Sequence, residues 1–277
     1  MANLQTTTIN GSLHLGNSPV TSDAGYVWYN TSLNKVQYSA VQYSTGTWST
    51  GGNLSVARHE LGGAGTQNAG LAFGGSTILA CTEEYNGSSW ATGGAMARAV
   101  RNTGTGTGQQ NAALQYGGFS PVGAYTCTQE YNGSSWTEVS NLNTARHMLA
   151  GAGTSTSALA FGGRIPGVTG ETESWNGTSW TELNNLNTVR EKPGGAGIQT
   201  SALAFGGTTP PNTAVTELWS GSSWAEQNDL STARQGSAGA GTTSNALAIG
   251  GFVASVTGAT EEWTGAGSPL TKTFTTS

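Results

Sequence analysis

The chain has 277 residues, a formal net charge of -5, 43 glycines and only 9 % charged positions. Glycine at this density with so little charge fits a low-complexity tail. Nine tryptophans, eight tyrosines and six phenylalanines argue against that, because they supply too many large apolar anchors for a chain that stays unfolded. The basic residues are scattered singly apart from Arg98 and Arg101 and leave no nucleic-acid footprint; no run approaches eighteen apolar residues, so membrane insertion is not expected.

From the N-terminus, Met1-Ala2-Asn3-Leu4 has neither the basic start nor the apolar core of a secretory signal, so export by a standard route is not expected. Residues 1–22 read as a leader or docking segment that also fits the innermost strand of a first unit, through Thr6 to Leu15. Ala24 to Tyr29 alternates like an inner strand, and Val41 to Gly52 lines up with Glu83 to Gly94 with one residue deleted in the turn. The latter is the sequence of an outer hairpin, with Trp48 at the place of Trp90.

From Arg58 onward the chain repeats. A Gly-Gly pair closes an apolar run at Gly74-Gly75, Gly117-Gly118, Gly162-Gly163, Gly206-Gly207 and Gly250-Gly251, at steps of 43, 45, 44 and 44. An arginine leads each unit (Arg58, Arg98, Arg146, Arg190, Arg234), and a tryptophan follows each of the first four pairs (Trp90, Trp136, Trp180, Trp224). Within a unit, the small residues from His59 to Asn68 suit an inner strand near a crowded axis, since each glycine would cost a helix about 1 kcal/mol. Ala69 to Phe73 alternates as a buried second strand. Thr82 to Tyr85 is a third strand, and Asn86-Gly87 predicts a tight hairpin of the primed type before a fourth strand opened by Trp90. The Asn-x-Ser/Thr triplets at Asn86, Asn132 and Asn176 are then turn chemistry rather than glycosylation sites.

Four short strands per unit of about forty-four residues is the pattern of a β-propeller blade. The double glycine, the aromatic closing the third strand (Tyr85, Tyr131, Trp175, Trp219, Trp263), the following tryptophan and the leading arginine together resemble the Kelch motif over residues 58 to about 275. The expected fold is all-β, a Kelch-like propeller of six blades of four antiparallel strands over residues 23–277, with blades near 23–55, 56–96, 97–144, 145–188, 189–232 and 233–277. The alternative is five blades with an N-terminal arm.

The repeated tryptophans, Trp48 included, are read as wedges between blades, with sugar stacking as the competing use. The arginines face strand-three positions Glu83, Gln129, Glu173, Glu217 and Glu261 and are read as charge pairs tying blades together, against a ligand-binding ring. Cys81 and Cys127 fall at matching points of neighbouring units and are read as thiols rather than a disulfide or a redox pair. No catalytic, metal or cofactor-binding residue can be nominated: there are three histidines, no GxSxG elbow and no phosphate loop followed by lysine. Three histidines also cannot assemble the tyrosine, cysteine and histidine constellation that Kelch-type copper oxidases require.

The segments after each Gly-Gly differ most among the units: Ser76 to Cys81, Phe119 to Cys127, Arg164 to Glu171, Thr208 to Val215 and Phe252 to Ala259. In a propeller these loops emerge on the face that also carries the links between blades. Phe119, Arg164, Pro210, Pro211 and Phe252 therefore mark the candidate partner face, unless the loops vary only because nothing constrains them. Ala145 to Arg190 resembles the Kelch-like repeats of marine phage virion proteins, and Ala24 to Lys35 with Val36-Gln37-Tyr38 and Gly46-Thr47-Trp48 resembles a short hairpin module of phage tail fibres. The resemblance implies a non-enzymatic virion protein, made in the host cytoplasm, as a tail-fibre, tail or capsid-surface appendage. Its expected partners are other virion proteins through the N-terminal region, a host cell-surface glycan and further copies of itself. A carbohydrate-binding propeller is the alternative, and an intracellular Kelch adaptor a third reading.

Overall fold

A computed structural model describes residues 27–30, 35–38, 50–101 and 106–265. The chain divides into two compact units, Met1–Thr50 and Gly51–Ser277. In the first, the described residues form one antiparallel hairpin, β1 (Val27–Asn30) with β2 (Lys35–Tyr38), pairing Val27 with Tyr38 and Asn30 with Lys35.

The second unit is a β-propeller of five blades, each an antiparallel meander. Blade 1 holds β3 (Gly62–Thr66), β4 (Ala69–Phe73), β5 (Thr82–Tyr85) and β6 (Trp90–Thr92). Blade 2 holds β7 (Thr107–Gln109), β8 (Ala112–Tyr116), β11 (Thr128–Tyr131) and β12 (Trp136–Val139), with the small hairpin β9 (Phe119–Ser120) and β10 (Gly123–Ala124) in its loop. Blade 3 runs through β13 (Ala150–Gly153), β14 (Ala158–Phe161), β15 (Thr172–Trp175) and β16 (Trp180–Leu183). Blade 4 follows with β17 (Gly194–Ile198), β18 (Ser201–Phe205), β19 (Thr216–Trp219) and β20 (Trp224–Glu226). Blade 5 shows three strands among the described residues, β21 (Ala238–Gly241), β22 (Asn245–Ile249) and β23 (Thr260–Thr264).

The five-blade alternative is therefore the one that holds, and the main expectation of six gives way to it. The strands described before residue 50 pair with each other and join none of the five blade sheets. Trp48 and most of Val41 to Gly52 lie outside the described residues. Gly51 and Gly52 come at the end of that stretch and occupy the place of a blade connector. A Cβ on Gly52 would lie 2.5 Å from the Ser88 carbonyl, as one on Gly94 would lie 2.1 Å from that of Ser134.

The double glycines set the blade ends. Both members take positive φ (Gly162 66°, Gly163 107°), a region that costs little only for glycine. The first N–H closes the base of its own loop, as Gly162 donates to Glu171 O at 2.9 Å. The second reaches the next unit, as Gly163 donates to Arg190 O at 2.9 Å. Space forbids a side chain as well, since a Cβ on Gly162 would come within 2.7 Å of Arg190 O.

The hairpin turn differs from the primed two-residue form expected. Tyr85 pairs with Trp90, leaving the four-residue loop Asn86 to Ser89, and of its first two residues only Gly87 has positive φ, at 92°. The Asn86 Oδ1 accepts the N–H groups of Ser88 and Ser89 at 3.0 and 2.9 Å. Asparagine is selected here as a side-chain acceptor that mimics a backbone turn.

Four arginines point inward with buried side chains and pair with acids, of which only Glu261 is partly exposed: Arg58–Glu83 (2.5 Å), Arg146–Glu173 (3.1 Å), Arg190–Glu217 (3.0 Å) and Arg234–Glu261 (2.5 Å). Each pair lies within one blade, fastening the incoming connector to the third strand. The tie between blades is the backbone carbonyl of Arg146, Arg190 and Arg234, which accepts the N–H of the preceding blade's second glycine (Gly118, Gly163 and Gly207). Arg98 is the exception. Val100, fully buried, takes the inward register and accepts Gly75 N–H at 3.0 Å, while the Arg98 side chain is 53 % exposed and pairs with Glu138. With no inward arginine, the third strand carries Gln129, whose Nε2 donates to Gln115 Oε1 at 2.8 Å.

The core lies in the seams between blades. Trp136 packs edge-on against Phe73 of blade 1, Trp180 against Tyr116 of blade 2 and Trp224 against Phe161 of blade 3, each with ring centroids 5.0 Å apart. Each indole donates to the threonine that opens the earlier blade's third strand: Thr82 at 2.9 Å, Thr128 at 3.0 Å and Thr172 at 3.0 Å. Trp90 is only half-buried and packs on its own Tyr85. Cys81 and Cys127 are both free thiols.

Candidate binding face

The loops that follow the double glycines emerge together on one face, around the start of the inner strands. In blades 2 to 5 the residue before each inner strand bridges to the residue after the Gly-Gly pair of the same blade: Arg101 to Phe119, His147 to Arg164, Glu191 to Thr208 and Gln235 to Phe252. Beyond this bridge each loop folds back as a minimal hairpin, through β9 and β10 in blade 2, Arg164 with Val168, Thr208 with Asn212, and Phe252 with Val256. The variable segments are thus pinned at their base by backbone hydrogen bonds, and only their tips are free to differ.

Side chains on this face form a belt that crosses every successive pair of blades. Arg101 lies 3.8 Å from Glu60 of blade 1 and its guanidinium carbon sits 5.1 Å from the centre of the Phe119 ring. Phe119 meets His147 of blade 3 edge-on at 5.1 Å. Arg164 reaches Glu191 of blade 4 at 3.0 Å, and Asn212 donates to the Phe252 and Val253 carbonyls of blade 5 at 2.9 and 3.0 Å. Burial lowers the His147 imidazole below its ordinary value, opposed by the Glu191 charge and assisted by Arg164 and Arg101. The ring is therefore neutral at pH 7.

Of the residues singled out in the sequence, Phe119 and Arg164 are members of the belt. Pro210 and Pro211 line a depression of 670 Å³ between blades 4 and 5 with Lys192 and Val253. Phe252 lines a second one of 740 Å³ that also touches His59, Glu60, Lys192 and Val256. Apolar surface concentrates on the same loops: Val122 is 87 % and Val256 85 % exposed, with Phe252 and Val253 beside them. The belt partners Glu60, Arg101, Glu191 and Asn212 were not singled out in the sequence. For Arg101 and Glu191 the signal was the position after the inward-facing connector residue, where the units carry the polar series His59, Arg101, His147, Glu191 and Gln235; Glu60 and Asn212 fall outside that series. Among the described residues no group of three or more histidine, cysteine, aspartate or glutamate side chains converges as a metal site. Comparison with protein-family models and with curated proteins gives no match for this chain.

Proposed function

We propose that this propeller is a non-enzymatic structural protein of a phage virion, a tail-fibre, tail or capsid-surface appendage that presents its loop face for host attachment or particle decoration. The observation that carries this reading is the division of labour on that face. Loops of unlike sequence are seated on one repeated backbone frame, and their apolar tips are held out to solvent on a rigid scaffold. A binding or structural module fits that arrangement. The virion context rests on the resemblance of Ala145 to Arg190 and of the Ala24 to Tyr38 stretch to phage appendage modules. The separate compact unit before residue 51 is assigned to docking on other virion proteins in the same reading.

Mass spectrometry of purified particles from the phage that encodes the chain tests the proposal directly. The chain is expected among the structural proteins, and its absence from intact particles refutes the virion reading. A lectin-like use of the same face is the second reading, favoured by the polar belt beside Phe119 and Phe252. A glycan array probed with an oligomerised form is expected to give hits that Arg164→Ala weakens, and a blank array removes it.

A further inference from the structure

Lys192 stands between the two depressions of the loop face and lines both. Its backbone is left-handed, with φ 52°, and is held so from two sides: its N–H donates to Met148 O at 2.7 Å and its carbonyl accepts from Gly236 N at 2.9 Å. Blade 5 fills the same register with Gly236, also left-handed at 65°, the residue that costs least there. Blade 4 keeps a lysine where the backbone disfavours one. Among the described residues the Lys192 ammonium makes no hydrogen bond or ion pair. Glu191, next to it in sequence, is 8 % exposed and is held by Arg164 at 3.0 Å. Outside the described residues Asp23 alone has an acidic side chain, so the chain has little anionic charge of its own to offer this cation.

The depression of 670 Å³ between blades 4 and 5 has the size of a small-ligand site. Around Lys192 it presents the hydroxyl of Thr208 and the amide of Gln235, neither of which makes a side-chain hydrogen bond among the described residues, and an apolar wall of Pro210, Pro211 and Val253. Its rim is fixed across the seam, because Asn212 of blade 4 donates to the Phe252 and Val253 carbonyls of blade 5. We propose, resting on the carbohydrate-binding reading of this face, that the depression binds a sugar bearing a carboxylate, a uronic acid residue of an acidic polysaccharide. A lone ammonium is a point charge without the planar fork that arginine offers a phosphate, and Glu191 in the same lining weighs against a doubly charged group. Thr208 and Gln235 supply donors and acceptors for ring hydroxyls, and the proline and valine wall takes the C–H face of the ring.

Trigalacturonate and its methyl ester share every ring and hydroxyl and differ in charge, so calorimetric titration of both into the full chain isolates the carboxylate. The acid is expected to bind about tenfold more tightly than the ester at low salt, the worth of one charge-assisted hydrogen bond. Lys192→Gly, which copies Gly236, should abolish that difference without lowering the melting temperature, and Lys192→Arg should preserve it. Asp23→Asn should leave the affinity for the acid unchanged; a gain would show the ammonium served from within the chain and would overturn the proposal. Equal binding of acid and ester, an acid preference that survives Lys192→Gly, or equally tight binding of a tetra-aspartate peptide would overturn it and leave the carbohydrate-binding use of the face standing. Failure to bind either sugar overturns it as well, and only a blank array of neutral glycans in addition removes that use of the face.

Discussion

At the scale of single residues, the buried arginine is the most informative position, because the molecule contains its own substitution experiment. In blade 4, Arg190 and Glu217 are both inaccessible to solvent, and burial lowers the arginine's pKa against the pull of Glu217. Removing one member leaves the other buried and unpaired, which costs about 3–5 kcal/mol. Arg190→Val is therefore expected to lower stability by about that amount in chemical denaturation. Blade 2 meets the same register with Val100, Gln129 and Gln115, so copying it with Arg190→Val, Glu217→Gln and Ala204→Gln together should recover at least half of the loss. A triple variant no more stable than the single one would refute the exchange. The spacing in the sequence put Arg98 at this register because two arginines and a glycine-rich stretch, Arg98 to Gly108, blur it. The readable signal was Gln129, the one strand-three position in the series that is not an acid. His147 supplies a pH dependence. Its folded pKa is depressed, so the unfolded chain takes up a proton near its ordinary value of 6.5 while the folded one does not. Stability is full above about pH 6.5 and falls as the pH drops from there toward the folded pKa. His147→Gln should flatten the melting temperature across that window, and an unchanged slope would assign it to another group.

At the scale of elements, the strands were legible and their turn was not. Alternation at Ala69 to Phe73 and the density of small residues at Gly62 to Thr66 are consequences of burial and crowding, which sequence displays directly. The turn at Asn86 depends on where a side-chain oxygen points, which the dipeptide Asn-Gly does not reveal. Blade number was misjudged for a related reason: Val41 to Gly52 has the sequence of an outer hairpin, but one hairpin is half a blade. Crowding at the axis gives a sharp test. A Cβ on Gly239 would lie 2.0 Å from the Gly195 carbonyl, and one on Gly195 would lie 2.7 Å from that of Gly151, so successive inner strands pack backbone against backbone. Gly167 has nothing within 4 Å of the same position and no positive φ. Gly239→Ala is expected to destabilise by overpacking, about 1–3 kcal/mol or more. Gly167→Ala should be neutral or stabilising by about 0.4–1 kcal/mol through the unfolded state. Equal melting temperatures for the two variants would contradict the close approach.

At the scale of the whole molecule, stability should be graded along the repeat, since each blade is held chiefly by its neighbours. The candidate face was legible at this scale as variation between units, whereas its belt of side chains emerged only when the bridging residues were placed beside their loops. The grading follows from the seams. Leu71, Leu114, Leu159 and Leu203 are buried on successive second strands, but Leu247, at the same register in blade 5, is 36 % exposed. The strand β21 is also open along most of its length, in contrast to β13 and the first half of β17. Among the described residues the seam between blades 4 and 5 holds Trp263 but no counterpart of Trp224, whereas blade 3 packs against blade 2 through Trp175 and Trp180 and against blade 4 through Phe161 and Trp224. Local opening free energy tracks such coverage. Hydrogen exchange followed by mass spectrometry is therefore expected to show the slowest amides in β14 and β15, intermediate ones in β18 and β19, and the fastest strand amides in β22 and β23. Peptides from blade 5 that exchange as slowly as those from blade 3 would show that its outer face is covered in solution, and would remove the gradient.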